Sequence, residues 1–168
     1  MLAQAMLAQN LVFGVLAVVM VAAAFRLVTT QNVVRAALFL AIVLAGAAGL
    51  YILLAAEFVA WVQVLVYIGA VVVLLLFGVM LTRAPIGRHP DLDNDQRWLA
   101  ALVSLFLLGA LGSVLADAFG KDKVNPVTIQ RTAAVSDSIF GAYVVPFEVA
   151  SVLLLAALVG AVALARRD

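Results

Sequence analysis

Residues 57–82 read Glu57-Phe58-Val59-Ala60-Trp61-Val62-Gln63-Val64-Leu65-Val66-Tyr67-Ile68-Gly69-Ala70-Val71-Val72-Val73-Leu74-Leu75-Leu76-Phe77-Gly78-Val79-Met80-Leu81-Thr82. From Phe58 to Thr82, twenty-five residues pass without a charge. The hydrocarbon core of a bilayer is ~30 Å thick and an α-helix rises ~1.5 Å per residue, so ~20 mostly apolar residues suffice to span it. The stretch reads as a transmembrane helix. Four more segments of the same character surround it, and the chain is expected to be all-α: a polytopic membrane protein of five transmembrane helices forming one membrane domain over residues 1–168. In chain order they lie at about 6–25, 36–56, 58–82, 98–116 and 143–165.

The composition agrees. Apolar residues make up 67% of the 168 and charged residues 11%, against roughly 45–50% and 25% in soluble domains. Lys and Arg total 10, Asp and Glu 9, for a net charge of +1. The basic residues form no clustered face, so nucleic acid is not an expected partner. The chain has no cysteine, which excludes disulfides, iron–sulfur clusters and thiolate-ligated haem within it. Its one histidine, His89, stands in the most polar stretch and reads as a solvated loop residue. No Lys or Arg precedes Arg26, so the first apolar stretch lacks the basic start of a secretory signal and reads as a retained membrane helix.

Two connections, 26–35 and 83–97, hold Arg26, Arg35, Arg83, Arg88 and Arg97, and the C-terminal end adds Arg166 and Arg167. The opposite side holds Lys121, Lys123 and Arg131, in the long connection 117–142. The positive-inside rule places the first set in the cytoplasm. The N-terminus is then outside, the C-terminus is cytoplasmic, and the chain belongs in a bacterial-type plasma membrane. Between the second and third helices little more than Glu57 remains, which demands a tight hairpin. Small residues recur at four-residue spacing: Ala37, Ala41, Ala45 and Gly49 in the second helix, and Ala157, Ala161 and Ala165, beside Gly160, in the fifth. Lipid supplies no hydrophobic force between helices, so such stripes mark close packing within the chain or against other subunits.

At about 100° per residue, Ala60, Gln63, Tyr67, Ala70 and Gly78 share one sector of the third helix, while Gly69 points nearly the other way. An amide and a phenol inside a membrane need hydrogen-bond partners or water. That sector reads as packing glue or as the wall of a hydrated cavity, and composition favours the first. Gly69 weakens the helix, marking a bulge or a close contact. Glu57 and Glu148 lie near helix ends, and no Lys, Asp or His lies at a helix centre. No internal repeat is visible. A stand-alone transporter or pump would want a repeat or a mid-depth charge. Catalytic and metal motifs are absent too.

Glu57-Phe58, the run Val62–Leu74 and Phe77 closely resemble the signature helix of subunit J of proton-pumping NADH:quinone oxidoreductase, respiratory complex I. The fifth helix supports the resemblance through Phe140, Tyr143, Pro146-Phe147-Glu148, Ser151, Leu153-Leu154-Leu155, Ala157 and Gly160-Ala161. It covers most of the chain and is weak in the loops. It implies a membrane-arm subunit, without a redox or catalytic centre of its own, that couples quinone reduction to proton translocation. It implies partners: the quinone-chamber subunit, small adjacent subunits and antiporter-like subunits, with the lipid bilayer around them. FMN and iron–sulfur clusters are expected in partner subunits and no cofactor in this chain. It further implies a π-bulge near Tyr67–Gly69, a helix that switches between bulged and regular forms and so gates a hydrated proton path. Tyr67 and Gly69, with Gln63 and Ala70, would form that gate, and Glu57 and Glu148 would tune its electrostatics. One departure stands out: beyond Gly69 the helix carries no acidic residue, where some family members have one. The alternative is a homologous subunit of a multisubunit cation/proton antiporter, or of a related membrane dehydrogenase or hydrogenase.

Overall fold

A computed structural model describes residues 2–82, 96–120 and 131–166, and every regular element among them is helical. The elements are α1 (Leu2–Thr29), α2 (Val33–Leu53), α3 (Glu57–Val62), a π-helical segment (Gln63–Val72), α4 (Val73–Leu81), α5 (Arg97–Phe119), α6 (Thr132–Phe140) and α7 (Val144–Ala165). α3, the π segment and α4 run on as one third span, Glu57–Leu81. With α1, α2, α5 and α7 this gives five helices long and apolar enough to cross a membrane. The chain is therefore a multi-span membrane protein.

The connections are shorter than the sequence suggests. α1 continues through Arg26 to Thr29, and α2 begins at Val33. Within this turn Asn32 Oδ1 accepts a hydrogen bond from the Arg35 N–H at 3.0 Å, capping α2, as Asn does at a helix start. The Arg26 guanidinium lies 5.9 Å from the centre of the Phe39 ring. Helix formation thus runs into the basic connector, because Arg is a good helix former and nothing there breaks the backbone. The second connection is the expected hairpin, but α2 stops at Leu53. Ala55 has φ 56°, its N–H donates to the Ile52 carbonyl at 3.0 Å, and the Ala56 N–H donates to Tyr51 at 2.9 Å. This is a Schellman closure made without glycine. Connection 117–142 is partly helical: α5 continues to Phe119 and α6 follows from Thr132. Of connection 83–97, residues 83–95, including His89, lie outside the described residues.

α2 is the centre of the packing, with α1 on one side and the third span on the other. The α1 contact is antiparallel and very close. A Cβ on Gly46 would fall onto Met20 Cγ and Sδ, and one on Gly49 would lie 3.1 Å from Leu16 Cδ1. Further along, Gln9 Nε2 donates to the Leu53 carbonyl at 3.0 Å, securing the end of α2. Ala37 and Ala48 are buried, and they lie on the side of α2 opposite Gly46. The four-residue stripe therefore serves no single neighbour. Each step of four turns it by about 40°, so that Ala37 is buried, Ala45 is exposed and Gly49 meets α1.

α6 reaches back to α3, half-burying Val135, Ser136 and Ile139. Its end is joined to α7 by an edge-on pair of rings, Phe140 and Phe147, 5.1 Å apart. α5 packs on no other described helix, and α7 only on α6. All described residues of α5 and α7 are exposed.

Candidate functional site

The ten residues Gln63–Val72, with the sequence QVLVYIGAVV, form the π-helix. Here each backbone N–H reaches one residue further back than in an α-helix. Such segments are rare and occur mostly as single turns at functional positions; ten residues is long. The segment closes on a tighter turn, with the Val73 N–H donating to the Ala70 carbonyl three residues back, and α4 follows. The backbone has one unusual consequence. Gln63, 7% exposed, and Val72, 3% exposed, are both buried, and among the described residues the one other span against this segment is α2. In an α-helix the nine steps between them would leave the two about half a turn out of phase.

Four of the expected site residues are therefore gathered in one element, but they do not share one face in the expected way. Ala60 and Gln63 are buried, whereas Tyr67, Ala70 and Gly78 are exposed, as is Gly69. Constant α geometry placed the first five in one sector; the wider π turns carry the face onward to Val72. Val72 was missed by the sequence reading, because in a run of valines and leucines its side chain carries no signal.

Tyr67 is 49% exposed, and its hydroxyl bonds to no described residue. Gln63 is the one polar residue buried among the described residues. Neither its amide nitrogen nor its amide oxygen is fully enclosed without a hydrogen-bond partner. A Cβ on Gly69 would lie 3.4 Å from the Val64 carbonyl oxygen and meet nothing nearer. The π form itself therefore leaves room for a methyl group there. Glu57 is the first residue of α3 and is exposed. Glu148 is the fifth of α7 and is exposed as well. The structure does not bring these two carboxylates into the π segment: Glu57 precedes it on the same span, and Glu148 belongs to a separate helix.

This arrangement defines a class: a multi-span membrane protein whose distinguishing element is a π-helical third span and whose last two long spans are exposed along their whole described length. The family model for NADH-ubiquinone/plastoquinone oxidoreductase chain 6 matches residues 23–164, and the chain belongs to that family. It is 44% identical to F(420)H(2) dehydrogenase subunit J of Methanosarcina mazei, over 95% of this chain and 92% of the relative. It is 40% identical to NAD(P)H-quinone oxidoreductase chain 6 of Synechocystis sp., over 95% and 82%. It is 34% identical to NADH-quinone oxidoreductase subunit J of Rhodobacter capsulatus, over 92% and 80%. The chain is thus a subunit of an NADH-quinone oxidoreductase-type enzyme complex, and other subunits of that complex are its partners.

Proposed function

We propose that this subunit couples quinone reduction to proton translocation by changing the register of its third span between Gln63 and Val72. The observation that carries the reading is the ten-residue π segment itself. Moving each N–H from the fifth to the fourth preceding carbonyl exchanges one hydrogen bond for another. The change therefore leaves no polar backbone group unpaired in lipid, where an unpaired group costs several kcal/mol. Two packings of similar energy are what a switch requires. The α form would turn Val72 and α4 away from their present seat on α2. Buried Ala37 and Ala48 put small side chains on that face of α2, on either side of the half-buried Leu44.

In this mechanism the Tyr67 hydroxyl and the Gln63 amide, one turn apart, carry or interrupt a file of water as the register changes. Gly69 and Ala70 keep the adjoining surface thin for neighbouring helices. Glu57, at the start of the span, sets the potential at the mouth of the path, and Glu148 acts at a partner contact. Electrons travel elsewhere: FMN and iron–sulfur clusters belong to companion chains, and none is held by this one. The quinone-chamber subunit, the small adjacent subunits and the antiporter-like subunits are the expected neighbours. The chain lies in a bacterial-type plasma membrane with its N-terminus outside and its C-terminus in the cytoplasm, supported by Arg26, Arg35, Arg97 and Arg166 at the end of the spans opposite to Glu57.

The test is Gly69→Val in the assembled enzyme, with quinone reduction and proton pumping measured together. A β-branched side chain stiffens the turn, and pumping is expected to fall at least tenfold while assembly persists. Unchanged pumping with normal assembly would sink the gate. A second reading has its own support in the 44% identity to an F(420)H(2) dehydrogenase subunit: the same coupling role in a dehydrogenase with another electron donor. Purified complex offered NADH and reduced F420 in turn separates the two.

A further inference from the structure

Glu148 differs from Glu57 in depth. Glu57 opens its helix, where unpaired N–H groups and nearby water favour a carboxylate. Glu148 lies past the first turn of α7. Tyr143, just before that helix, is of the type that settles at the membrane interface, and five residues of helical rise set Glu148 about 7.5 Å deeper. There it lines a shallow groove with Val145, Val149 and Val152. An ionised group at this depth ordinarily pairs with another or faces protein. The one described helix that α7 touches is α6, with the sequence TAAVSDSIF and no basic residue. A second copy of α7 does not answer the charge either, since Val144–Ala165 contains neither Lys nor Arg. At the far end of the spans Arg26, Arg35, Arg97 and Arg166 are a membrane thickness away. On the Glu148 side Arg131 precedes α6, about 13 Å of helical rise from the Phe140 end that meets Phe147, while Lys121 and Lys123 lie outside the described residues.

We infer that the Glu148 face of α7 receives a transmembrane helix of a different subunit that carries a Lys or Arg at the same depth. The cation's aliphatic stem runs along Val145, Val149 and Val152 and its head meets the carboxylate. The inference rests on the chain's membership of a multisubunit enzyme and makes no use of the π segment.

The experiment places benzoylphenylalanine at Val152 in the complex in its native membrane, irradiates it, and identifies the joined peptide. The expected adduct is to a transmembrane segment of another subunit, within one helical turn of a Lys or Arg. Glu148→Lys should then lower retention of this chain in the purified complex about tenfold, a loss of about 1.4 kcal/mol in binding, and exchanging the identified cation for Glu should restore it. Adducts to lipid alone, to a second copy of this chain, or to a segment without a basic residue overturn the inference. So does full retention of Glu148→Lys. If Glu148→Lys fails to insert, the adduct formed in the otherwise unaltered chain still decides. Pumping that survives Gly69→Val would remove the gate and leave this contact standing; an adduct to lipid alone would do the reverse.

Discussion

Gln63 and Val72 are nine residues apart and both are buried where the third span meets α2. Two α turns take about seven residues; here two turns take nine. The π segment thus holds two residues more than an α-helix needs to present the same two side chains to the same neighbour. Deleting Leu65 and Val66 should let the span run as a regular helix with both ends still seated on α2. The expected product assembles, shows α hydrogen bonding throughout on structure determination, and reduces quinone with at least tenfold weaker pumping. Full pumping by a span shown to be regular would exclude the register change as the coupling step.

Tyr67→Phe separates function from stability. The hydroxyl has no described partner and the side chain is half exposed, so its loss should alter unfolding in detergent by less than about 0.5 kcal/mol. Proton pumping should slow several-fold. Equal pumping rates for Tyr and Phe would take Tyr67 out of the water path.

Ala55 holds a left-handed conformation that strains a side chain bearing a Cβ by roughly 1–2 kcal/mol. Glycine relieves the strain but gives back part of it in the unfolded chain, so Ala55→Gly should stabilise the α2–α3 hairpin by about 0.5–1 kcal/mol. Ala55→Val should destabilise it. Unfolding of the purified chain in mixed micelles, titrated with SDS, reads both.

Gly46 tests the α1–α2 contact. A Cβ there meets Met20 Cγ and Sδ, but a methionine side chain can move aside. Gly46→Ala should be tolerated within about 1 kcal/mol, and Gly46→Val should cost about 1–3 kcal/mol by overpacking. Adding Met20→Ala should recover much of the loss in the same SDS titration; failure to do so would place the strain elsewhere.

The five spans were legible because hydropathy and length answer directly to the thickness of lipid. The tight second connection was legible too, since only Glu57 was left between two apolar runs. The closure by Ala55 was not, because its usual signal is glycine. Within the third span the periodicity was misleading in a specific way. Ala60 and Gln63 were assigned correctly to a contact face, but extrapolating about 100° per residue carried that face to Tyr67, Ala70 and Gly78, all exposed, and missed Val72. Gly69 pointed to a bulge or a close contact without deciding between them, and the resemblance to the family named the bulge; the valines and leucines around it carry no sign of how far a changed turn extends. The reach of α6 back to α3 was hidden for a similar reason: Val135 and Ile139 showed a partly apolar connection without showing what it would cover.

The exposure of α5 and α7 bears on how the chain is made. Its N-terminal half can settle as it leaves the ribosome, with α1, α2 and the third span closing on one another in order. Among the described residues the last two helices hold almost nothing of this chain, and their placement waits on other subunits. A cell that makes this subunit in excess makes an orphan with two uncommitted spans, a target for membrane proteolysis, so its abundance should follow that of its scarcest neighbour rather than its own rate of synthesis.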